Sequence, residues 1–141
     1  MTAFSAKRRR LVTERAKERC EYCGLAQEGQ EATFHIDHIL PIAAGGTTLE
    51  NNLALACVSC SLRKGARQTG KDPFDNTEVP LFHPRNHLWA DHFNWQGVTL
   101  IGLTATGRAT IVALTLNRSL ILAIRHEEIL LGRHLSRTST N

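Results

Sequence analysis

The chain has no apolar segment behind its N-terminus that would serve as a secretory leader, because residues 1 to 10 are basic and polar. It has no run long and apolar enough to cross a bilayer. The most apolar stretch, Ala109 to Ile124, contains Asn117 and Arg118 and falls short of the roughly 20 residues that a spanning helix needs. These absences set the expectation of a cytoplasmic protein with no membrane partner. Internal repeats and low-complexity segments are also lacking. Cysteine is scarce, and all four cysteines fall in two C-x-x-C pairs, Cys20/Cys23 and Cys57/Cys60. Disulfides are not expected in a reducing compartment, so the pairs read as metal ligands.

What is present fits one ordinary domain, or a small metal-stapled module with an extension, in 141 residues. The apolar fraction of 42% allows a core. The net charge of +4 and the pI of about 9.2 suggest a polyanionic partner. The basic residues are clustered. Lys7, Arg8, Arg9 and Arg10 form one run, which reads equally well as a solvated surface. Arg63, Lys64 and Arg67 form another directly after the last cysteine, where phosphate contact is the expectation.

Along the chain, Arg8 to Arg19 is predicted helical and delivers the first cysteine pair, with Gly24 closing the knuckle. Ala32 to Asp37 suits a strand that Pro41 stops. Residues 43 to 51 form a loop containing Gly45 and Gly46. Leu53 to Ala56 is a second strand entering the second knuckle. Ser59 or Ser61 is expected to cap a helix starting near Cys60 and carrying Arg63, Lys64 and Arg67. Residues 68 to 86 read as an irregular connection. An aromatic group follows, Phe82, Trp89, Phe93 and Trp95, interleaved with His83, His87 and His92; core packing is the simpler role for Trp89, Phe93 and Trp95, and packing or surface polarity for the histidines. Val98 to Leu103 is predicted as a strand. Thr104 is predicted to cap a helix through Leu116, and Ser119 to Leu131 is a last helix with Gly132 as its stop. The tail from Ser136 is expected to fray.

A C-x-x-C turn presents two thiolates, and two such turns complete a tetrahedral zinc site. The 33 residues between the pairs exceed the usual ribbon spacing, so a sub-structure must fold between them. The zinc is therefore expected to be structural, closing the segment that carries the chemistry.

That segment holds Asp37, His38 and Asn52. Cutting a phosphodiester needs an activated water and stabilisation of the departing oxygen. A carboxylate-bound divalent cation supplies the second, and a neutral imidazole supplies the first. Adjacent residues on a regular strand face opposite ways, so both groups reach one phosphate only if the strand ends or bends near them. Asn52 either fixes the loop or holds the imidazole. His35 shares a strand face with Asp37 by alternation.

Residues 20 to 67 resemble the HNH endonucleases, the ββα-metal nuclease family, whose pattern runs C-x-x-C, D-H-I-x-P, G-G, N-L-x-x-x-C-x-x-C and then a helix. The matching residues are Cys20, Cys23, Asp37, His38, Ile39, Pro41, Gly45, Gly46, Asn52, Leu53, Cys57, Cys60 and Lys64. The resemblance implies an α+β fold. Its ββα-metal (His-Me finger) core, stapled by a four-cysteine zinc, carries an N-terminal helix and a C-terminal mixed α/β extension. The expected organisation is a nuclease module over residues 1–70 and an extension over 71–141 packed on it. By the same resemblance Asp37 is the catalytic metal ligand, His38 the general base, and Asn52 the residue that holds the base. The cation is Mg²⁺, Mn²⁺, Ni²⁺ or Zn²⁺. The segments Pro80 to Arg85, Trp89 to Trp95, Gly102 to Thr104 and Gly107 to Thr110 are similar to small stand-alone bacterial members, without implying roles.

The chain departs from the pattern at Ser61, where the family usually places a His or Asn metal ligand. Three outcomes are open. Ser61 binds the cation directly or through water, another residue replaces it (His35, His83 or His92), or activity is impaired. The expected function is thus a metal-dependent endonuclease acting on DNA in preference to RNA. Arg63, Lys64 and Arg67 would grip phosphates, and a homodimer is one way to supply two sites for duplex cutting. The alternatives are a zinc-stapled nucleic-acid-binding module without catalysis and a zinc-dependent protein adaptor. No base-reading element is evident, so low sequence specificity is expected.

Overall fold

The computed structural model describes residues 4–135. The expected fraying from Ser136 onward lies outside them. The chain divides into two compact units, Met1–Ala66 and Arg67–Asn141.

The first unit opens with helix α1 (Ala6–Arg15). Ser5 caps it by accepting a hydrogen bond from the Arg8 amide at 3.1 Å, so the helix starts two residues before the predicted Arg8. It also ends earlier than predicted. Lys17 and Glu18 take left-handed backbone conformations (φ 56° and 57°), which no α-helix accommodates. Val12 is fully buried, and Arg15 bonds the Glu50 and Leu53 carbonyls, which ties α1 to the second strand. Strand β1 (His35–His38) pairs antiparallel with β2 (Leu53–Ala56), with Asp37 opposite Ala54 and His38 opposite Leu53. All four β2 residues are buried. Helix α2 (Val58–Lys64) follows immediately. Its cap is Cys57, whose Sγ accepts from the Cys60 amide, and this corrects the expectation of a serine cap. The knuckle geometry already aims a sulfur at the free amides of the first turn, so Ser59 and Ser61 turn to other partners. The ββα order expected from the sequence is therefore present, in a mixed α and β chain.

The loop between β1 and β2 depends on two glycines. Gly45 closes a 3-10 turn over Ile42–Ala44 at φ 94°. At Gly46 a Cβ would lie 1.8 Å from the Leu40 carbonyl oxygen, so the chain passes there only without a side chain.

The second unit begins with a hairpin, β3 (Thr69–Lys71) and β4 (Glu78–Pro80), where the sequence reading expected irregular chain. Three-residue polar strands carry too little alternation to be seen in sequence. A short helix α3 (Trp89–His92) leads into β5 (Phe93–Gln96), which pairs with β6 (Thr99–Gly102). Helix α4 (Ala105–Ala113) is capped by Thr104 as expected, through the Gly107 amide at 3.0 Å, but stops short of Leu116. Helix α5 (Ser119–Leu130) ends on Leu131 and Gly132. The core holds Phe82, Phe93, Leu100, Ala109, Leu114, Leu116 and Ile121. Phe93 supports the packing role given to the aromatic group, with its ring against Phe82 and Trp89.

Asp72, buried beneath this hairpin, takes a two-pronged ion pair from Arg108 at 2.8 Å on each oxygen. Those hydrogen bonds, with that of the Phe74 amide, hold the Asp72 carboxyl below its usual range. A depressed folded-state pKa contributes stability above the unfolded value of 3.8, lost as the pH falls through the folded value. Native protein is therefore expected to lose more stability between pH 5 and pH 2 than an Asp72→Asn variant loses over the same interval, measured by urea denaturation at each pH.

Candidate functional site

The four cysteines are buried at the two knuckles of the first unit. The Cys23 amide faces Cys20 Sγ at 3.5 Å and the Cys60 amide faces Cys57 Sγ at 3.4 Å. Gly24 (φ 79°) closes the first knuckle as expected. The first knuckle is held to β2 by Glu21, whose amide donates to the Leu55 carbonyl and whose carboxylate accepts from the Leu55 amide, both at 2.8 Å. All four sulfurs lie within 4.8 Å of one another, and Cys23 and Cys57, one from each pair, are 3.7 Å apart. A tetrahedron of metal–sulfur bonds of about 2.3 Å has edges of about 3.8 Å, whereas a disulfide is about 2.05 Å. The donor set fits a single tetrahedral ion such as zinc.

Asp37 sits on β1, 8% exposed. Two groups converge on its Oδ2: the Tyr22 hydroxyl donates at 2.8 Å, and the Lys64 ammonium lies at 3.2 Å. Oδ1 takes neither. Burial pushes the Asp37 pKa up, and the Lys64 charge and Tyr22 hydrogen bond pull it back. Burial and the Asp37 charge drive the Tyr22 pKa well up, so the phenol stays a donor.

Lys64 departs from its expected role. It is 2% exposed and donates to the His38 and Ile39 carbonyls at 3.2 and 3.0 Å in addition to pairing with Asp37. An ammonium so engaged is a counter-ion for Asp37 and is not presented to a phosphate in solvent. Removing one partner of a buried pair typically costs about 3–5 kcal/mol. Lys64→Ala is expected to destabilise the first unit by about that much in urea denaturation. A loss under about 1 kcal/mol would show that the pair behaves as an exposed one. Arg63 and Arg67, by contrast, are exposed: Arg63 bonds the Ser59 hydroxyl at 3.1 Å, and Arg67 reaches the Ala113 carbonyl at 3.5 Å.

His38, the last residue of β1, has side-chain partners of its own. Its Nε2 lies 3.2 Å from Thr48 Oγ1, and its ring lies against Phe4 at 5.6 Å between centroids. Asn52 is buried, and its side chain serves the loop. Oδ1 accepts from the Leu40 amide at 2.8 Å, and Nδ2 donates to the Leu40 and Thr47 carbonyls at 3.0 and 2.8 Å. Of the two roles open to it, this geometry matches fixing the loop, the segment that also carries Thr48. Ser61 on α2 lies 2.9 Å from His35 Nδ1. His83 and His92 belong to the second unit, where His83 Nδ1 accepts from the Arg85 and Asn86 amides and His92 Nδ1 meets the Thr104 hydroxyl at 2.6 Å. Tyr22 and Thr48 carry no signal in the sequence. Nothing about a tyrosine inside a C-x-x-C pair, or a threonine in a loop, announces a partner that lies ten or more residues away.

No helix among the described residues is long and apolar enough to cross a membrane. No solved structure matches the chain. Septu protein PtuB of Bacillus thuringiensis is similar, at 28% identity over 109 residues that make up 76% of this chain and 40% of that protein. The chain thus spans about two fifths of that relative's length. Residues 20–67, which contain both knuckles, Asp37, His38, Asn52 and α2, match the family model described as HNH endonuclease. The ββα element bracketed by the four-cysteine cluster is thus the part of the chain that is similar to the HNH endonucleases.

Proposed function

We propose that the chain is a metal-dependent endonuclease that hydrolyses phosphodiester bonds in DNA. The observation that carries this reading is the placement of Asp37 and His38 at the end of β1, inside the frame closed by the four cysteines. The pair forms where the strand gives way to the loop, which lets neighbouring side chains serve one substrate. Asp37 is the cation ligand, and the Tyr22 hydroxyl and the Lys64 ammonium, both at its Oδ2, fix its orientation. The divalent cation supplies charge stabilisation for the crowded phosphorus and the departing oxygen. His38 takes the proton of the attacking water, with Thr48 holding the ring and Asn52 bracing the loop behind it. Arg63 and Arg67 contact flanking phosphates, and binding therefore weakens steeply with salt. The four-cysteine ion is a structural zinc.

A second reading, a nucleic-acid-binding module without catalysis, rests on Ser61, a weak ligand at the position the family gives to His or Asn. Cleavage of supercoiled plasmid by the zinc-loaded chain with added Mg²⁺, Mn²⁺, Ni²⁺ or Zn²⁺ separates the two. Nicked or linear product supports the endonuclease. A salt-sensitive gel shift without product under any cation supports the binding module.

A further inference from the structure

The position after the last cysteine carries a hydroxyl, and that hydroxyl is engaged. Ser61 Oγ lies 2.9 Å from His35 Nδ1. His35 and Asp37 are alternate residues of β1, so they stand on one face of the strand with Cα atoms about 6.6 Å apart. Helix α2 crosses that face. Ser61 meets His35, and Lys64, one turn later on the helix, meets Asp37. The strand thus offers an imidazole and a carboxylate side by side, and the helix offers one orienting partner to each. An imidazole ligand is commonly fixed by a hydrogen bond from its other ring nitrogen, which sets the tautomer. In the tautomer in which Ser61 Oγ accepts from Nδ1–H, the His35 lone pair lies on Nε2, the form that binds a cation.

From this juxtaposition we infer that His35 is the ligand that replaces the missing helix residue, with Ser61 as its positioning residue, and that the site selects a transition-metal dication over Mg²⁺. The inference rests on Asp37 being the cation ligand proposed above. Its chemical basis is ligand softness. Imidazole nitrogen suits Mn²⁺, Co²⁺ and Ni²⁺ increasingly well, and Zn²⁺ also, whereas Mg²⁺ prefers oxygen donors and keeps its waters. A Ser61–Asp37 pair would be all oxygen, with no such preference.

The test is calorimetric titration of the zinc-loaded full chain with NiCl₂ and, separately, MgCl₂, following the binding event that Asp37→Asn removes. Native protein is expected to bind Ni²⁺ at that site at least 100-fold tighter than Mg²⁺. His35→Ala should lower the Ni²⁺ affinity on the order of 100-fold and leave Mg²⁺ within about threefold. His35→Gln, which preserves bulk and polarity, should behave like His35→Ala and guards against a folding defect. Ser61→Ala should cost about 10-fold, within the range for an orienting partner, and Ser61→Thr should restore it. Unchanged Ni²⁺ affinity in both His35 variants overturns the inference, as does the absence of any binding event that depends on Asp37. Selective Ni²⁺ binding lost with His35 in a protein that never cuts plasmid would keep this inference and sink the endonuclease. Cleavage supported by Mg²⁺ and indifferent to His35 would do the reverse.

Discussion

His38→Ala is expected to lower the plasmid-cleavage rate by about 10²–10⁴-fold, the usual contribution of a positioned general base. The loss should appear in the cleavage step and not in DNA affinity, because the imidazole is held by Thr48 and Phe4 and makes no ion pair. Stability should change little. His38 is only half buried, and its backbone bonds in β1 do not depend on its side chain. Thr48→Ala provides a graded companion, since it removes the 3.2 Å contact that aims the ring while leaving the base in place. Its loss should be smaller than that of His38→Ala and larger than that of a neutral surface change such as Thr47→Ser. A His38→Ala enzyme that retains more than a tenth of the native rate would remove His38 from the role of base.

Stripping the ion from the four-cysteine cluster is expected to unfold the first unit. Structural zinc contributes about 10–16 kcal/mol of apparent binding free energy at neutral pH. A small domain has only about 5–15 kcal/mol in total. The arrangement here explains the dependence. The knuckles are the two ends of the segment that contains β1, the Gly45–Gly46 loop and β2, and four thiolates brought within 4.8 Å repel one another unless an ion neutralises them. Circular dichroism during titration with a strong chelator should show loss of the strand and helix signal as zinc is released, and Cys57→Ser should be poorly folded from the outset. Both tryptophans, Trp89 and Trp95, lie in the second unit, so their fluorescence reads that unit separately. A chelated chain with unchanged circular dichroism would make the cluster dispensable for the fold.

The sequence made the frame legible because its signals are local. Two C-x-x-C pairs mark two knuckles, Thr104 sits where a helix must begin, and Gly132 takes the positive φ that ends α5. Where a local signal had competition, the structure chose differently. Ser59 and Ser61 are good capping residues, yet the Cys57 sulfur was already in place, leaving Ser59 to Arg63 and Ser61 to His35. The β3–β4 hairpin escaped notice because its strands are held by pairing and by α4 packing, not by an apolar pattern. Lys64 was misread for a related reason: in sequence it belongs to a basic run, and only the fold places Asp37 against it.

The sequence by itself determined the four-cysteine cluster and the ββα order, since each is a matter of residue type at short spacing. The tertiary structure alone decided which face each group takes and who its partner is. Asp37 met Tyr22 and Lys64, Asn52 met the loop backbone, and His35 met Ser61 across 26 residues of chain. Such pairings depend on how a strand and a helix pack, and burial then fixes them, because a charged or polar group withdrawn from water must find its complement wherever the fold supplies one.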